Sequence, residues 1–323
     1  MQILAQNLAI RQAKPHDKRI QMPQNTTQST QNTISTNATN TAKSTAQAHA
    51  LSNRLSLLFG RFANYAFPRF FQRIINAVYV RIFHIDLSDF ATADTYPTLN
   101  ALFTRALVKS RAFDTNPNAL ISPSDSLIME QGRIFVEDST QKALQIKGMS
   151  YPIDEFLGES RCVLNALDSA SPLSFVNLYL SPSDYHHYHA PCDMRILEAR
   201  YFGGVLLPVN PPSLRKNHHL FIQNERVVLV AEDLRGKRLY YVAVGALNVG
   251  KMIFHFEPKI HTNATPNARE IYTYTTPIEI KKGKELGTFM MGSTIVLIAQ
   301  GVHLQAQSGA KVAQGDTIAL LES

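Results

Sequence analysis

Large apolar side chains recur at helical spacing in residues 51–85 and in short, strand-like runs after about residue 95. A repeat of three to four residues predicts amphipathic helices in the first segment. Pro68 falls within the repeat and predicts a break between two helices, because proline lacks the amide hydrogen that a helix interior needs. The basic residues that interrupt the apolar positions are Arg61, Arg69, Arg73 and Arg81. A spanning helix needs about twenty largely apolar residues, so these charges exclude one here.

The remainder of the chain alternates short apolar runs with Gly, Pro and Asn turn signals, which predicts many short strands and few helices. The runs are Ala119–Ile121, Ile134–Val136, Val176–Leu180, Arg226–Val230, Leu239–Val244, Ile271–Thr275 and Ile295–Ile298. The sequence has no GxGxxG motif and no complete GxxxxGK[ST] motif to indicate a nucleotide-binding fold. The expected fold is α+β: a mainly antiparallel β body, barrel-sandwich-like, with N-terminal amphipathic helices.

Residues 21–50 consist mainly of Gln, Asn, Thr, Ser and Ala. Such a segment buries too little apolar surface to offset its ordering entropy, so we expect it to be disordered. The predicted organisation is a polar head at 1–50, membrane-associating amphipathic helices at 51–95 and a catalytic β-rich domain at 96–323.

Positive charge is concentrated at the N-terminal end of the chain. The formal net charge is +7, yet residues 1–85 hold ten of the 32 Lys and Arg residues and one of the 25 acids. The rest of the chain is therefore close to neutral, which argues against a nucleic-acid-binding core and favours an arm that contacts an anionic membrane surface. The two cysteines, Cys162 and Cys192, lack metal-ligand spacing, so no metal is expected.

A histidine cluster supplies the first candidate chemistry. His186 and His189 follow the turn signal Ser181-Pro182-Ser183-Asp184, which favours a turn that places both rings on one face. Considered alone, the pair also fits a metal site or two solvated histidines. The absence of an obvious third ligand favours proton transfer instead.

Two further residues complete a possible acyl-transfer set. Asp125 lies in a Ser-rich turn and alone would bond its own backbone; paired with His189, it could orient the imidazole and stabilise its cation. Ser293 follows Gly292 but lacks the second glycine of a GxSxG elbow, because Ile295 occupies that position. A hydroxyl that attacks the preceding carbonyl of its own chain needs no elbow, and Gly292 leaves that carbonyl accessible.

These motifs together resemble the phosphatidylserine decarboxylase family. The resemblance covers roughly Tyr96 to the C-terminus, and the combination of Tyr-His-x-x-His with Gly-Ser-Thr is more specific than either motif alone. The matching segments are Pro97 to Leu107, Asp125 in Pro-Ser-Asp-Ser, Tyr179 to Cys192, Val209-Asn210, Asn224 to Val227, Val244 to Ala246 and Glu285 to Thr294.

The resemblance implies a self-processing enzyme with Asp125, His189 and Ser293 as its triad. Ser293 would attack the Gly292 carbonyl with His189 as base, and elimination from the resulting ester would separate a β chain (1–292) from an α chain (293–323). Hydrolysis of the residual dehydroalanine, with loss of ammonia, would leave a pyruvoyl group in place of Ser293. That group would form a Schiff base with the serine headgroup and accept electrons as CO2 leaves. His186 would position the substrate carboxylate or protonate Cα.

The expected partners are phosphatidylserine, an anionic membrane surface and the chain's own α and β fragments as a heterodimer, with a dimer of heterodimers as a further option. Arg226 or Lys251 is a candidate for the lipid phosphate. The expected location is peripheral, on the cytoplasmic face of a bacterial membrane; the acid-poor N-terminal composition makes a mitochondrial location the minor alternative. Two other functions remain open: a decarboxylase for a soluble amino acid, and an uncleaved lipid-binding or carrier-like protein.

Overall fold

The computed structural model describes residues 58, 60–137, 141–146, 149–207, 220–246, 251–262, 268–290 and 294–322. The predicted polar head at 1–50 lies outside these ranges, as do Gly292 and Ser293. The helices are α1 Arg69–Phe83, α2 Leu99–Phe103, α3 Ile153–Leu157, α4 Arg161–Ala170 and α5 Leu220–Gln223, with a short 3-10 helix at Ala93–Thr95. Residues 60–64 are also helical.

Antiparallel sheets make up most of the described structure. The strands are β1 Ala119–Ile121, β2 Ser126–Arg133, β3 Phe135–Glu137, β4 Gln141–Ile146, β5 Met149–Pro152, β6 Leu173–Tyr179, β7 His187–His189, β8 Met194–Phe202, β9 Arg226–Asp233, β10 Arg238–Val244, β11 Met252–Phe254, β12 Arg269–Ile280, β13 Glu285–Phe289, β14 Thr294–Gln300, β15 Val302–Leu304, β16 Lys311–Val312 and β17 Thr317–Leu321. The α+β class, with a mainly antiparallel β body and few helices, is confirmed.

The largest sheet has eight strands in the order β12-β8-β9-β10-β14-β6-β2-β16. Smaller three-stranded sheets have the orders β1-β17-β15, β11-β13-β7 and β3-β4-β5. Strands β10 and β14 lie at the centre of the large sheet, and their Val- and Ile-rich runs are buried along almost their whole length. Continuous apolar runs of this kind suit strands that are covered on both faces. The main hydrophobic core surrounds these strands.

The predicted strand runs all coincide with strands or overlap them. Prediction and structure agree for β1 and differ by one to five residues at the ends of the other runs. Two glycine turns flank β16, and Gly309 and Gly315 have φ angles of 89° and 100°. That left-handed backbone is strained for a residue with a side chain, which explains glycine at both turns.

Helix α1 begins directly after Pro68, which lies four residues beyond the end of the preceding helical segment. Pro68 is its N-cap, and the Pro68 carbonyl accepts a hydrogen bond from Gln72 N at 3.0 Å. The predicted break at Pro68 is therefore confirmed. No helix among the described residues is long and apolar enough to cross a bilayer.

Helix α1 buries polar side chains and exposes apolar ones. Gln72 and Asn76 face inward; Asn76 accepts from Gln72 and donates to the carbonyls of Ala93 and Tyr96. The exposed apolar residues are Phe70, Phe71, Ile74, Val78, Ile82 and Phe83. A small apolar cluster centred on Ala63, Leu99 and Leu102, separate from the main core, packs against the inner side of this region.

Candidate active site

Strand register brings the chain that follows Asp125 and the chain that follows Ser293 to one end of the large sheet. Tyr179 of β6 pairs with Leu127 of β2 on one side and with Thr294 of β14 on the other. Asp125 lies two residues before Leu127, and Ser293 directly precedes Thr294. Because β2 and β14 are both antiparallel to β6, the chain enters both strands at the same end of the sheet. Neighbouring strands are about 4.8 Å apart, so β2 and β14 are separated by roughly 10 Å there.

The histidine segment, residues 181–189, continues from this same end. Its first turn is closed by Asp184, whose Oδ2 accepts from Ser181 N at 2.6 Å. His189 N donates to Pro123 O at 2.9 Å, which ties the segment to the chain that leads to Asp125. Phe289 N donates to His186 O at 3.0 Å, which ties it to the strand that leads toward Gly292. The acid, the histidines and both flanks of the predicted cleavage bond are therefore neighbours in the fold.

The prediction of a turn that places His186 and His189 on one face is wrong for residues 187–189, which form a strand. Residues 187–189 form strand β7, which pairs with β13 from nearly 100 residues later in the chain. His186 packs against Phe103 with a ring-centroid separation of 3.9 Å, whereas the ring of His189 lies 5.7 Å from that of Tyr185. Long-range pairing overrides the local turn signal, and the two imidazoles have different environments.

His189 is held as a neutral ring with a defined tautomer. Its Nδ1 lies 2.9 Å from Gly283 O, and its Nε2 lies 3.1 Å from the hydroxyl of Tyr185. A carbonyl only accepts, so Nδ1 carries the hydrogen and Nε2 is left as the acceptor. Burial lowers the pKa of His189, although the hydrogen bond to Gly283 opposes that shift. At neutral pH, Nε2 is therefore unprotonated, and it accepts a hydrogen bond from Tyr185.

Asp125 is held by an arginine rather than by His189. Arg111 Nη1 donates to Asp125 Oδ1 at 2.5 Å, and Gln314 N donates to the same oxygen at 2.8 Å. Arg111 also bonds Asp89 at 2.8 Å, and its guanidinium carbon lies 5.9 Å from the centre of the Tyr185 ring. Among the described residues, the expected Asp125–His189 hydrogen bond is not formed. Gly283 instead orients the imidazole, and Arg111 and Tyr185 lie between the acid and the base.

His186 is fully buried beside a second arginine. Its Nδ1 donates to Asp184 O at 2.8 Å, and its Nε2 has no hydrogen-bond partner in the described part of the chain. Burial, reinforced by the nearby charge of Arg105, lowers the pKa of His186 to about 3. The ring is therefore neutral at physiological pH and presents an acceptor nitrogen, which suits neither a carboxylate ligand nor proton donation in this tautomer.

His187 has a charged partner that the sequence did not reveal. Its Nδ1 lies 2.8 Å from Glu285 Oε1, and its Nε2 lies 3.0 Å from Thr104 O. Burial alone would lower the pKa of His187, but these hydrogen bonds outweigh it and the pKa is raised. Two acceptors around one ring favour the imidazolium, which donates from both nitrogens. The His187–Glu285 pair therefore anchors the start of β13, the strand that leads toward the predicted cleavage bond.

The phosphate role expected for Arg226 is contradicted by its contacts. Arg226 is 5% exposed, and its guanidinium donates to four main-chain carbonyls. The accepting residues are Phe156, Ile222, Asn224 and Glu155. These bonds fix α3 and α5 against β9 and leave the arginine in a structural role. Lys251 stays exposed, and its carbonyl accepts from Met290 N at 2.9 Å.

The sequence motifs did not indicate that Arg105, Arg111, Gly283 and Glu285 are site residues. They also predicted no role for Tyr185 or His187. Arginines in an otherwise apolar entry segment were the one available signal, because a charge there needs a partner. The contacts of Gly283 with His189 and of His187 with Glu285 and Thr104 join residues 83 to 98 positions apart, and no local pattern reports them. The Tyr185–His189 hydrogen bond spans only four positions.

The buried histidines, with half-buried carboxylates and two arginines around them, define an enzyme-type site suited to proton transfer at the end of an antiparallel sheet. The family model described as phosphatidylserine decarboxylase matches residues 99–320. A phosphatidylserine decarboxylase proenzyme of Helicobacter pylori (strain Shi470) is 55% identical over 270 residues, which cover 83% of this chain and 97% of the relative. One from Campylobacter jejuni is 43% identical over 251 residues, covering 78% and 91%. A mitochondrial one from Pongo abelii is 31% identical over 296 residues, covering 83% and 71%.

The chain therefore belongs to the phosphatidylserine decarboxylase family. The resemblance carried by the Tyr-His-x-x-His and Gly-Ser-Thr motifs is confirmed.

Proposed function

We propose that this protein converts phosphatidylserine to phosphatidylethanolamine and CO2 after cutting its own chain between Gly292 and Ser293. One observation carries the proposal: in a member of this family, strand register brings Asp125, the histidine segment and both flanks of that bond to the same end of one sheet. The relatives named above are described as proenzymes, which supports processing. Family membership also favours an enzyme over the uncleaved lipid-binding alternative.

His189 is the proposed base for self-cleavage. With Nδ1–H donated to Gly283, Nε2 is the nitrogen that takes the proton from Ser293 as its oxygen attacks the Gly292 carbonyl. Tyr185 donates a hydrogen bond to that same nitrogen. This hydrogen bond must break before the hydroxyl of Ser293 can donate to Nε2. Burial raises the pKa of Tyr185, which keeps the hydroxyl protonated and able to donate.

Asp125 is proposed to act through charge. Its carboxylate is about 20% exposed and is fixed by Arg111, so it lies in partly desolvated surroundings where a negative charge stabilises a nearby cation. The imidazolium formed on His189 during cleavage is such a cation. This role needs no direct hydrogen bond between the two side chains.

His186 keeps a proposed role in decarboxylation, but its burial and its hydrogen bond to Asp184 O argue against both of the roles predicted from the sequence. A ring with a pKa of about 3 is rarely protonated at neutral pH, so protonation of Cα by His186 is disfavoured. Positioning of the substrate carboxylate would require Nε2 to carry the hydrogen, which means giving up the bond to Asp184 O. The remaining fit is an acceptor for a donor group of the substrate.

Ser293 is the proposed source of a covalent pyruvoyl group. When formed, that group supplies the electron sink that loss of CO2 from an amino acid requires. The surrounding chain fits such a group because the flank at Thr294 is 1% exposed and the neighbouring His189 is 9% exposed, so water has little access.

The two fragments are expected to stay together after cleavage. Strand β14 lies between β10 and β6 in the middle of the large sheet, and β17 pairs with β1. Residues 293–323 would therefore remain hydrogen-bonded to residues 1–292 on both sides. A heterodimer of α and β chains, or a dimer of such heterodimers, is the proposed assembly.

Helix α1 is the proposed contact with the membrane. Its exposed face carries Phe70, Phe71 and Ile82 at 71%, 59% and 63% exposure, and Arg73 and Arg81 are exposed on the same helix. Apolar side chains that enter the headgroup region beside cationic ones suit an anionic lipid surface. The proposed location is peripheral, on the cytoplasmic face of a bacterial membrane.

The test is CO2 release from purified protein with phosphatidylserine in vesicles, compared with free serine. We expect release from the vesicles, and loss of activity after treatment with borohydride in the presence of substrate amine, which traps a ketone. Release from serine alone would identify a soluble amino acid decarboxylase. Lipid binding without CO2 release would support the uncleaved carrier.

A further inference from the structure

Arg105 lies two residues after the end of helix α2, beside the histidine segment. It is 2% exposed, and its Nη2 donates to Ser183 O at 2.5 Å and to Asp184 O at 3.2 Å. Its guanidinium carbon lies 4.6 Å from the centre of the Phe90 ring. His186 Nδ1 donates to the same Asp184 carbonyl, so Arg105 and His186 meet at one acceptor.

Several polar atoms around Arg105 lack partners. Arg105 Nε and Nη1 and His186 Nε2 are buried and form no hydrogen bond in the described part of the chain. The nearby carboxylates are engaged elsewhere, since Asp125 bonds Arg111 and Asp184 closes its own turn. Arg105 is therefore a buried cation with two unused donor nitrogens and no hydrogen-bonded counter-anion among the described residues. Such groups are rare because their desolvation is uncompensated.

Arg226 is a buried arginine with a structural role, and its hydrogen-bond donors are satisfied by the main chain. All three of its guanidinium nitrogens donate to main-chain carbonyls. Within the described ranges, Nη2 is the one nitrogen of Arg105 that does so. The difference indicates that the rest of the Arg105 guanidinium is reserved for a ligand, and a planar pair of N–H donors matches two oxygens of a phosphate or carboxylate.

We propose that Arg105 binds the phosphodiester of the substrate headgroup through Nε and Nη1; this assignment rests on the function proposed above. The phosphodiester keeps its negative charge throughout decarboxylation, so an arginine there holds the substrate without opposing the reaction. An arginine on the departing carboxylate would stabilise the ground state more than the transition state, because that charge leaves the carboxylate as CO2 forms. The chemistry of the reaction therefore favours the phosphate over the carboxylate.

The position of Arg105 fits a ligand that arrives from a bilayer. Burial raises the pKa values of Tyr79 of α1 and of Tyr96, and the charge of Arg105 opposes that rise, so the guanidinium lies near α1 as well as in contact with the histidine segment. The apolar cluster beneath α1 and α2 is separate from the main core. A small displacement of these helices would admit a headgroup to Arg105 while leaving the β body intact.

Binding is tested first without catalysis. The Ser293→Ala precursor and a Ser293→Ala, Arg105→Gln double variant are titrated calorimetrically with glycerophosphoserine and, separately, with inorganic phosphate. We expect the glutamine to weaken glycerophosphoserine binding about tenfold or more, as loss of a charge-assisted bidentate contact does. Equal affinity in the two proteins would overturn the proposal.

Turnover is tested in proteins first shown by intact mass to be processed. Arg105→Gln and Arg105→Lys should raise KM for phosphatidylserine vesicles about tenfold or more with a much smaller change in kcat, and should leave KM for a phosphate-free O-alkyl serine unchanged. The lysine variant retains a cation in case the glutamine variant fails to fold. Arg226→Gln removes an equally buried charge and should lower Tm without raising KM.

Equal losses on both substrates, or binding of inorganic phosphate without any effect of Arg105 on lipid KM, would overturn the headgroup assignment. If wild-type protein released no CO2 from any substrate, the proposed function would fail, whereas glycerophosphoserine binding to the precursor would still report on Arg105.

Discussion

Helix α1 and the histidine segment depart from the usual distribution of side chains in opposite directions. Helix α1 exposes phenylalanines and isoleucines and buries Gln72 and Asn76. The histidine segment buries His186 and His189 beside Tyr185 and two arginines. Exposed apolar surface and buried titratable groups both cost free energy in an isolated protein in water. Helix α1 is therefore suited to contact with a nonaqueous surface, and the histidine segment is suited to proton transfer.

The largest effect should come from removing the proposed self-cleavage groups. Ser293→Ala, His189→Ala and Asp125→Ala should each leave full-length precursor, with cleavage slowed at least about a thousandfold. Gel analysis over several days measures the loss. His186→Ala is the matched control: it should still cut but decarboxylate poorly. If His186→Ala fails to cut, the division of roles between the two histidines is wrong.

Substitutions on the exposed face of α1 should weaken membrane binding and leave self-cleavage unchanged. Phe71→Glu combined with Ile74→Glu removes two large apolar groups from the face, each worth about 1.5–3 kcal/mol when buried. Vesicle partitioning in a sedimentation assay should therefore fall about a hundredfold or more, while self-cleavage is unchanged.

Leu234→Glu provides the control for that experiment, because Leu234 is 65% exposed in the turn between β9 and β10. It should leave partitioning unaltered. An equal drop for Leu234→Glu, or none for the α1 variant, would remove α1 as the membrane contact.

Close packing of the strands around the histidine segment gives a stability prediction. A Cβ at Gly287 would collide with Ile253 O and lie 2.6 Å from the Tyr188 hydroxyl. Gly287→Ala should therefore lower the free energy of unfolding by about 1–3 kcal/mol and slow cleavage. Gly132→Ala is the control, since its Cβ would lie 3.6 Å from Phe175 in ordinary contact. Chemical denaturation compares the two, and similar stability would contradict the observed approach of β11 and β13.

The smallest effect concerns pH. Burial lowers the pKa of His189 from its usual value of 6.5, so the imidazole is still neutral at pH 6.5. Self-cleavage slows only when the pH falls through the lower pKa of the folded protein and His189 becomes protonated. The acid limb of the self-cleavage rate should therefore lie below pH 6.5. Tyr185→Phe removes a donor to neutral Nε2 and should move the limb to higher pH by less than about one unit. A wild-type limb above pH 6.5 would exclude His189 as the base in this environment.

The sequence predicted the fold class, the break at Pro68 and most strands, because those features depend on local periodicity and on proline chemistry. It also identified Asp125, His186, His189 and Ser293 as candidates through their motifs. It did not predict which groups they contact. Gly283 meets His189 from 94 positions away, and Glu285 meets His187 from 98. Such contacts depend on the register between β7 and β13, which turn signals in residues 181–184 do not report.

The intact mass of freshly purified protein tests self-cleavage most directly. We expect two fragments that separate between Gly292 and Ser293, the smaller carrying a ketone in place of its amino group and therefore blocked to N-terminal sequencing. A single mass for the uncut chain in active, folded protein, or a small fragment with a free serine amine, would contradict that expectation.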